Sequence, residues 1–182
     1  MATPIYLSRE KMLAERVARF KDLKPTKRAF VDTAVEGHER DIFQIIGPGV
    51  NEDPDHRPAI LDHPDFSVGL IRAADGHGAS LHIHDTVEVF MPLEGRWALY
   101  WIDDKGKQQE VVLEKHDVIS VPVGLWRGFR NVSGHVAHMI AINGGSDPGR
   151  VTWPPELIEK AAKKGYKLDQ NGNLMTAAPA AD

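Results

Sequence analysis

The residues of this sequence best suited to chemistry lie between Gly76 and Gly95, in the stretch GHGASLHIHDTVEVFMPLEG. It carries His82 and His84 two apart and Glu88 four further on. Side chains alternate faces along a β-strand, so a strand running through the stretch points residues 82, 84 and 88 to one side. Leu81, Ile83, Val87 and Val89 then form the opposite, apolar set. Two imidazoles and a carboxylate converging on one face are a usable ligand set for a divalent transition metal. They are also the donor types of the facial triad that suits non-haem Fe(II) with open positions, which makes Fe(II) the favoured ion. Mn, Ni, Co or Zn fit the same ligands. Burying these groups without partners is costly. The alternative to a metal is therefore a set of hydrogen bonds that satisfies the same atoms.

A rigid array of strands has to hold these groups. From Phe66 onward the sequence reads as strand after strand: Ser67–Ala73, then the histidine stretch, then Arg96–Ile102 and Gln108–Leu113. The last two flank Asp103 to Lys107, whose Lys-Gly placement suits a tight hairpin. Val118–Val121, Trp126–Asn131 and His135–Ile142 complete the run. Many short strands separated by turns predict a sandwich or barrel. Two further strands are expected at Ala29–Val35 and Asp41–Ile46. Between them and the main run lies GPGVNEDPDHRPAILDHPD, a long loop of the kind that shapes a pocket entrance, with His56 and His63 expected to be exposed.

Helices are expected only at the ends. SREKMLAERVARFKDL reads as an amphipathic helix capped by Ser8, ended at Lys24-Pro25, and covering a barrel mouth. Pro154-Pro155-Glu156 opens a second helix through Lys164, with Gly165 as its cap, and a small hairpin follows around Asn171-Gly172. The Ala-Pro-rich tail is expected to be disordered. The resulting division is an extension over 1–28, a barrel over 29–146, and a C-terminal helix and tail over 147–182, within one domain.

The spacing of the histidine stretch resembles the first motif of the cupins: Gly, five residues, His-x-His, three residues, Glu, six residues, Gly. Gly76, His82, His84, Glu88 and Gly95 fill it without a gap. The second cupin motif is matched in part by HDVISVPVGLWRGFRN, with Pro122, Gly124 and Asn131 in register. His116 stands where the family has Gly, and Arg127 where it has its last metal-binding His. The resemblance implies an all-β fold, a double-stranded β-helix (jelly-roll barrel), with His82, His84 and Glu88 as metal ligands. It also implies homodimers.

Arg127 is the informative departure. Alternation places it with Phe129 and Asn131 on one face. Arginine offers only donors and cannot ligate a metal. Beside a divalent ion it is repelled, by on the order of 6 kcal/mol at 5–6 Å and an effective dielectric near 20. Two readings follow. Either Arg127 recognises an anionic substrate lying on the metal, or it pairs directly with Glu88 at a site without metal. Among His77, His116 and His138, the last is the best candidate for an additional ligand.

Composition narrows the function classes. The chain has 182 residues, a formal charge of −4, 42% hydrophobic and 26% charged residues, and no cysteine. The charge and the lack of a helix-turn-helix argue against nucleic acid. No apolar stretch reads as a signal core or membrane span, so a cytoplasmic protein is expected. The absence of cysteine removes disulfides, thiolate nucleophiles and Cys-type zinc sites. The aromatics around the motifs are expected mainly in the core, some lining a pocket for a flat small molecule. The leading reading is a metal-dependent enzyme acting on a small anionic molecule, foremost a dioxygenase. A redox-neutral isomerase or lyase and a metal-free binding module are the alternatives.

Overall fold

The run AHMIAING, which buries every second residue, forms a strand with one face in the core. The computed structural model describes residues 3–62, 65–147 and 149–176. Helix α1 (Arg9–Arg16) is followed by β1 (Asp41–Ile46), β2 (Phe66–Ala73), β3 (Gly78–His84), β4 (Glu88–Pro92), β5 (Trp97–Ile102) and β6 (Gln108–Leu113). Then come β7 (Ile119–Val121), β8 (Arg127–Asn131), β9 (Ala137–Gly144), β10 (Val151–Thr152), helix α2 (Pro155–Lys163), and the hairpin strands β11 (Tyr166–Leu168) and β12 (Leu174–Thr176).

Two antiparallel sheets result, ordered β1-β2-β9-β4-β7 and β10-β3-β8-β5-β6. From β2 to β5 each strand lies in the sheet opposite its predecessor, and after the β5–β6 hairpin the alternation resumes through β9. This is the double-stranded β-helix. Its interior is graded. Along β4 the inward residues run Glu88, Phe90, Pro92, and along β9 they run Asn143, Ala141, Met139, Ala137. The end holding Phe90, Trp97, Leu99, Phe129 and Met139 is a packed apolar core, whereas the Glu88–Asn143 end is polar.

A second, smaller core joins the chain's two ends. Val31 packs with Trp153, Leu157 and Ala161, and with parts of the terminal hairpin. Strand β10 pairs with β3, through Val151 opposite His84 and Thr152 opposite Ile83, and so fixes Trp153 beside the histidines.

Three expectations need correction. The segment predicted as a strand at Ala29–Val35 contains a 3-10 turn, Val31–Ala34. There the Thr33 N–H donates to the Phe30 carbonyl at 3.2 Å and the Val35 N–H to the Asp32 carbonyl at 2.8 Å, so the backbone bonds are local and not those of a sheet ladder. Helix α1 has its Ser8 cap, whose hydroxyl accepts from Lys11 N–H at 3.1 Å, but it stops at Arg16 and buries none of its residues. It covers no barrel mouth: Phe20, just beyond it, packs tilted against Phe43 and edge-on against His138 outside the barrel. His56 is half-buried rather than exposed. His63 and the C-terminal tail lie outside the described residues. Among the described residues no helix is long and apolar enough to cross a membrane.

Candidate metal centre

The histidine stretch is two strands, not one. β3 ends at His84, the chain crosses at Asp85–Val87, and Glu88 returns as the first residue of β4 in the facing sheet. The expectation that one strand aims all three groups is therefore corrected. His82 and His84 reach inward from one wall and Glu88 from the other. One ligand atom from each lies within 4.8 Å of the others, and all three side chains are buried. Gly76 and Gly95, which bracket the motif, sit at φ +78° and +68° in turns that side-chain-bearing residues rarely adopt.

Local contacts set the state of each group. His82 Nδ1 lies 2.6 Å from the Ser80 carbonyl oxygen. A carbonyl only accepts, so Nδ1 carries the proton and the neutral ring keeps its lone pair on Nε2. Burial, reinforced by the Arg127 charge, holds the His82 pKa well below its ordinary value. Burial likewise lowers His84, to about 4, although Glu88 opposes the shift. Both imidazoles are neutral near pH 7, as metal ligation requires. The His82 ring packs against those of His84 and Trp153, with centroids 4.9 and 5.1 Å away.

Arg127 lies opposite His82 in the β3–β8 register. Its Nη2 donates to Glu88 Oε2 at 2.9 Å, and its Nη1 to the His82 carbonyl at 3.4 Å. The direct pairing with Glu88 is thus present. Asn143 Nδ2 is 3.3 Å from Glu88 Oε1 and 3.5 Å from His84 Nδ1, both weak contacts. His84 Nε2 is buried with no hydrogen-bond partner.

That orphan atom tests whether the group suits a metal. A buried nitrogen without a partner is costly. Hydrogen bonds do not satisfy this one, whereas a cation would. Glu88 has one oxygen committed to Arg127 and a second held only weakly by Asn143. Two neutral imidazoles and a carboxylate oxygen therefore remain for an ion, and the residues fit a divalent transition metal.

His138 is corrected as a ligand. Alternation along β9 sends Ala137, Met139, Ala141 and Asn143 inward and His138 outward, where it pairs with Glu94. His77 pairs with Glu39, 3.1 Å away, and His116 is exposed. Neither approaches the centre. Sequence reasoning missed three residues that border it. Asn143 shares the inward alternation of β9 and was findable by that signal. Trp153 and Arg40 come from segments outside both motifs, and no spacing pointed to them.

The trio borders a cavity of about 40 Å³, walled by both sheets and by Phe30, Val50 and Trp153 from outside the motif strands. Paired neutral imidazoles facing a carboxylate across a jelly-roll define a class of small β-barrel proteins. Residues 69–143 match the family model of the cupin domain, and the barrel they form has the cupin fold.

Solved structures agree on the fold. The polyketide cyclase RemF from Streptomyces resistomycificus superposes with a TM-score of 0.54 at 19% identity, over 80% of this chain and 90% of that one. Oxalate decarboxylase from Lactobacillus farciminis, as its formate complex, gives 0.54 at 14% identity over 76% of this chain. This chain spans only 36% of the decarboxylase. A recombinant oxalate oxidase in complex with glycolate gives 0.51 at 18% identity, over 78% of this chain and 67% of that one. Such identities establish the fold alone. Comparison with curated proteins finds no match.

Proposed function

We propose that this cupin is a metal-dependent enzyme acting on a small anionic organic molecule, and that its reaction is a dioxygenation. His82, His84 and Glu88 hold the ion, Fe(II) in the favoured case. The observation that carries this reading is the buried, unpartnered Nε2 of His84 beside a second neutral imidazole and a carboxylate. A bound divalent ion supplies open positions for substrate and dioxygen and, as Fe(II), a redox centre.

The chain's own residues prepare that centre. The Ser80 carbonyl fixes the His82 tautomer, and Arg127 fixes the Glu88 carboxylate. Arg127 and Glu88 cancel in charge, so a divalent ion leaves the centre with about two positive charges. In a mostly apolar cavity such charge favours an anionic ligand. The small volume favours a molecule of few heavy atoms. The neighbours named above carry out different reactions on one scaffold, so the reaction type rests on the site and not on the fold.

The Arg127–Glu88 contact favours a second reading, a metal-free barrel that binds a small molecule. Anaerobic reconstitution with Fe(II), followed by oxygen-electrode measurements over a panel of short carboxylates, separates the possibilities. The proposal expects substrate-dependent oxygen uptake that chelator abolishes. Turnover without oxygen uptake would identify an isomerase or lyase. Carboxylate binding that survives chelator, with no turnover, would identify the binding module.

A further inference from the structure

We propose that Arg40, and not Arg127, binds the anionic end of the substrate, receiving the carboxylate of a short organic acid in the cavity beside His82, His84 and Glu88. This rests on the metal-dependent reading above. Arg127 cannot serve both ends: its guanidinium is engaged by Glu88 and the His82 carbonyl, and it does not border the cavity, although its Nε is also unpartnered. Arg40 does border the cavity.

Its surroundings are those of a built anion site. The Arg40 side chain is 2% exposed, and the fixing contacts are made by Nη1: Asp32 Oδ1 at 3.0 Å and Oδ2 at 3.1 Å, the His38 carbonyl at 2.8 Å and the Gly78 carbonyl at 3.1 Å. Phe30 and Phe129 flank the guanidinium, with ring centroids 5.0 and 5.8 Å from its central carbon. Held on one nitrogen and between two rings, the guanidinium plane has little freedom to reorient. Its Nε is buried with no partner. Asp32 neutralises the charge of Arg40, so the pair is tolerated in the interior while one charge-assisted donor is left over. A carboxylate oxygen is the acceptor that donor fits. One cavity of about 40 Å³ bordered by both Arg40 and the histidines limits the ligand to a short acid. Its carboxylate meets Arg40 while its remaining oxygen donors face the trio.

The probe is acetate, titrated calorimetrically into metal-reconstituted wild type, Arg40→Gln and Arg127→Gln, with the metal content of each measured in parallel. The expected result is one acetate per wild-type chain, affinity at least tenfold weaker in Arg40→Gln, and a smaller loss in Arg127→Gln, which removes one positive charge beside the ion without removing the donor that meets the carboxylate. Unchanged affinity in Arg40→Gln, or a loss confined to Arg127→Gln, overturns the assignment while leaving the metal reading intact. No metal in wild type after reconstitution overturns the metal reading, and this inference with it. Because Arg40→Gln strands Asp32 and can fail to fold, a wild-type crystal soaked in bromide supplies a second test. Anomalous density within hydrogen-bond reach of Arg40 Nε supports the assignment. A cavity bromide away from Arg40, or none in the cavity, overturns it.

Discussion

At the scale of residues, the centre is a balance between Arg127 and the ion for one carboxylate. Removing one partner of a buried ion pair leaves an uncompensated charge, at a cost of about 3–5 kcal/mol. Arg127→Gln should therefore destabilise the metal-free protein by roughly that amount. It also removes a positive charge beside the ion, so added metal should raise stability more in the variant than in wild type. Denaturant titrations with and without metal check both signs. A loss below about 1 kcal/mol would mean that water or a proton reaches Glu88. The spacing of His82, His84 and Glu88 was legible in sequence because ligand geometry constrains residues close in the chain. Arg40 was not, because its relation to the histidines is created only by tertiary packing.

Elements explain which inferences from spacing failed. A two-residue period correctly relates His82 to His84, but it does not extend to Glu88, because the chain changes sheets at Asp85–Val87. The same period settles His138 once the inward partners Ala137 and Met139 are known, and it sends that histidine out of the barrel. The Ala29–Val35 stretch looked like a strand by composition. Asp32 turns it instead, by accepting from Arg40 and from the Ser80 N–H at 3.0 Å. The second-motif position occupied by His116 shows why Gly is usual there, since its φ is +73°. Left-handed backbone costs a non-glycine residue about 1–2 kcal/mol, part of which glycine loses through its own chain entropy. His116→Gly should stabilise the fold by up to about 1 kcal/mol in thermal or denaturant unfolding. Destabilisation would show that the imidazole makes contacts worth more than the backbone strain.

At the scale of the molecule, the cavity exists because segments outside the two motifs close it, and Glu52 ties them together. Its carboxylate accepts from Trp153 Nε1 at 2.7 Å and from the Val31 N–H at 2.5 Å, and its backbone bonds Ala29 and Leu174. None of this was legible in sequence, where Glu52 sat in a loop among other acids. Burial pushes the Glu52 pKa up from 4.5 to about 7. An acid whose pKa is raised on folding binds its proton more tightly in the native state. Its contribution is greatest below pH 4.5 and is lost as pH rises towards 7, about 3 kcal/mol across that window. Glu52→Gln abolishes the titration, so the stability of wild type relative to the variant should fall by roughly this amount between pH 4.5 and 7.5. Parallel pH profiles would contradict it. His84, lowered to about 4, acts with the opposite sign between pH 6.5 and 4, so only the difference between the two proteins isolates Glu52.

The central claim is that the two buried imidazoles and the facing carboxylate hold a metal. The most direct test is elemental analysis of untagged protein purified without chelator and reconstituted anaerobically with Fe(II), wild type beside His82→Ala. The account predicts near-stoichiometric metal in wild type and its loss in the variant. Metal bound equally by both would contradict it, and metal absent from both would contradict it and leave Arg127 as the charged partner of Glu88.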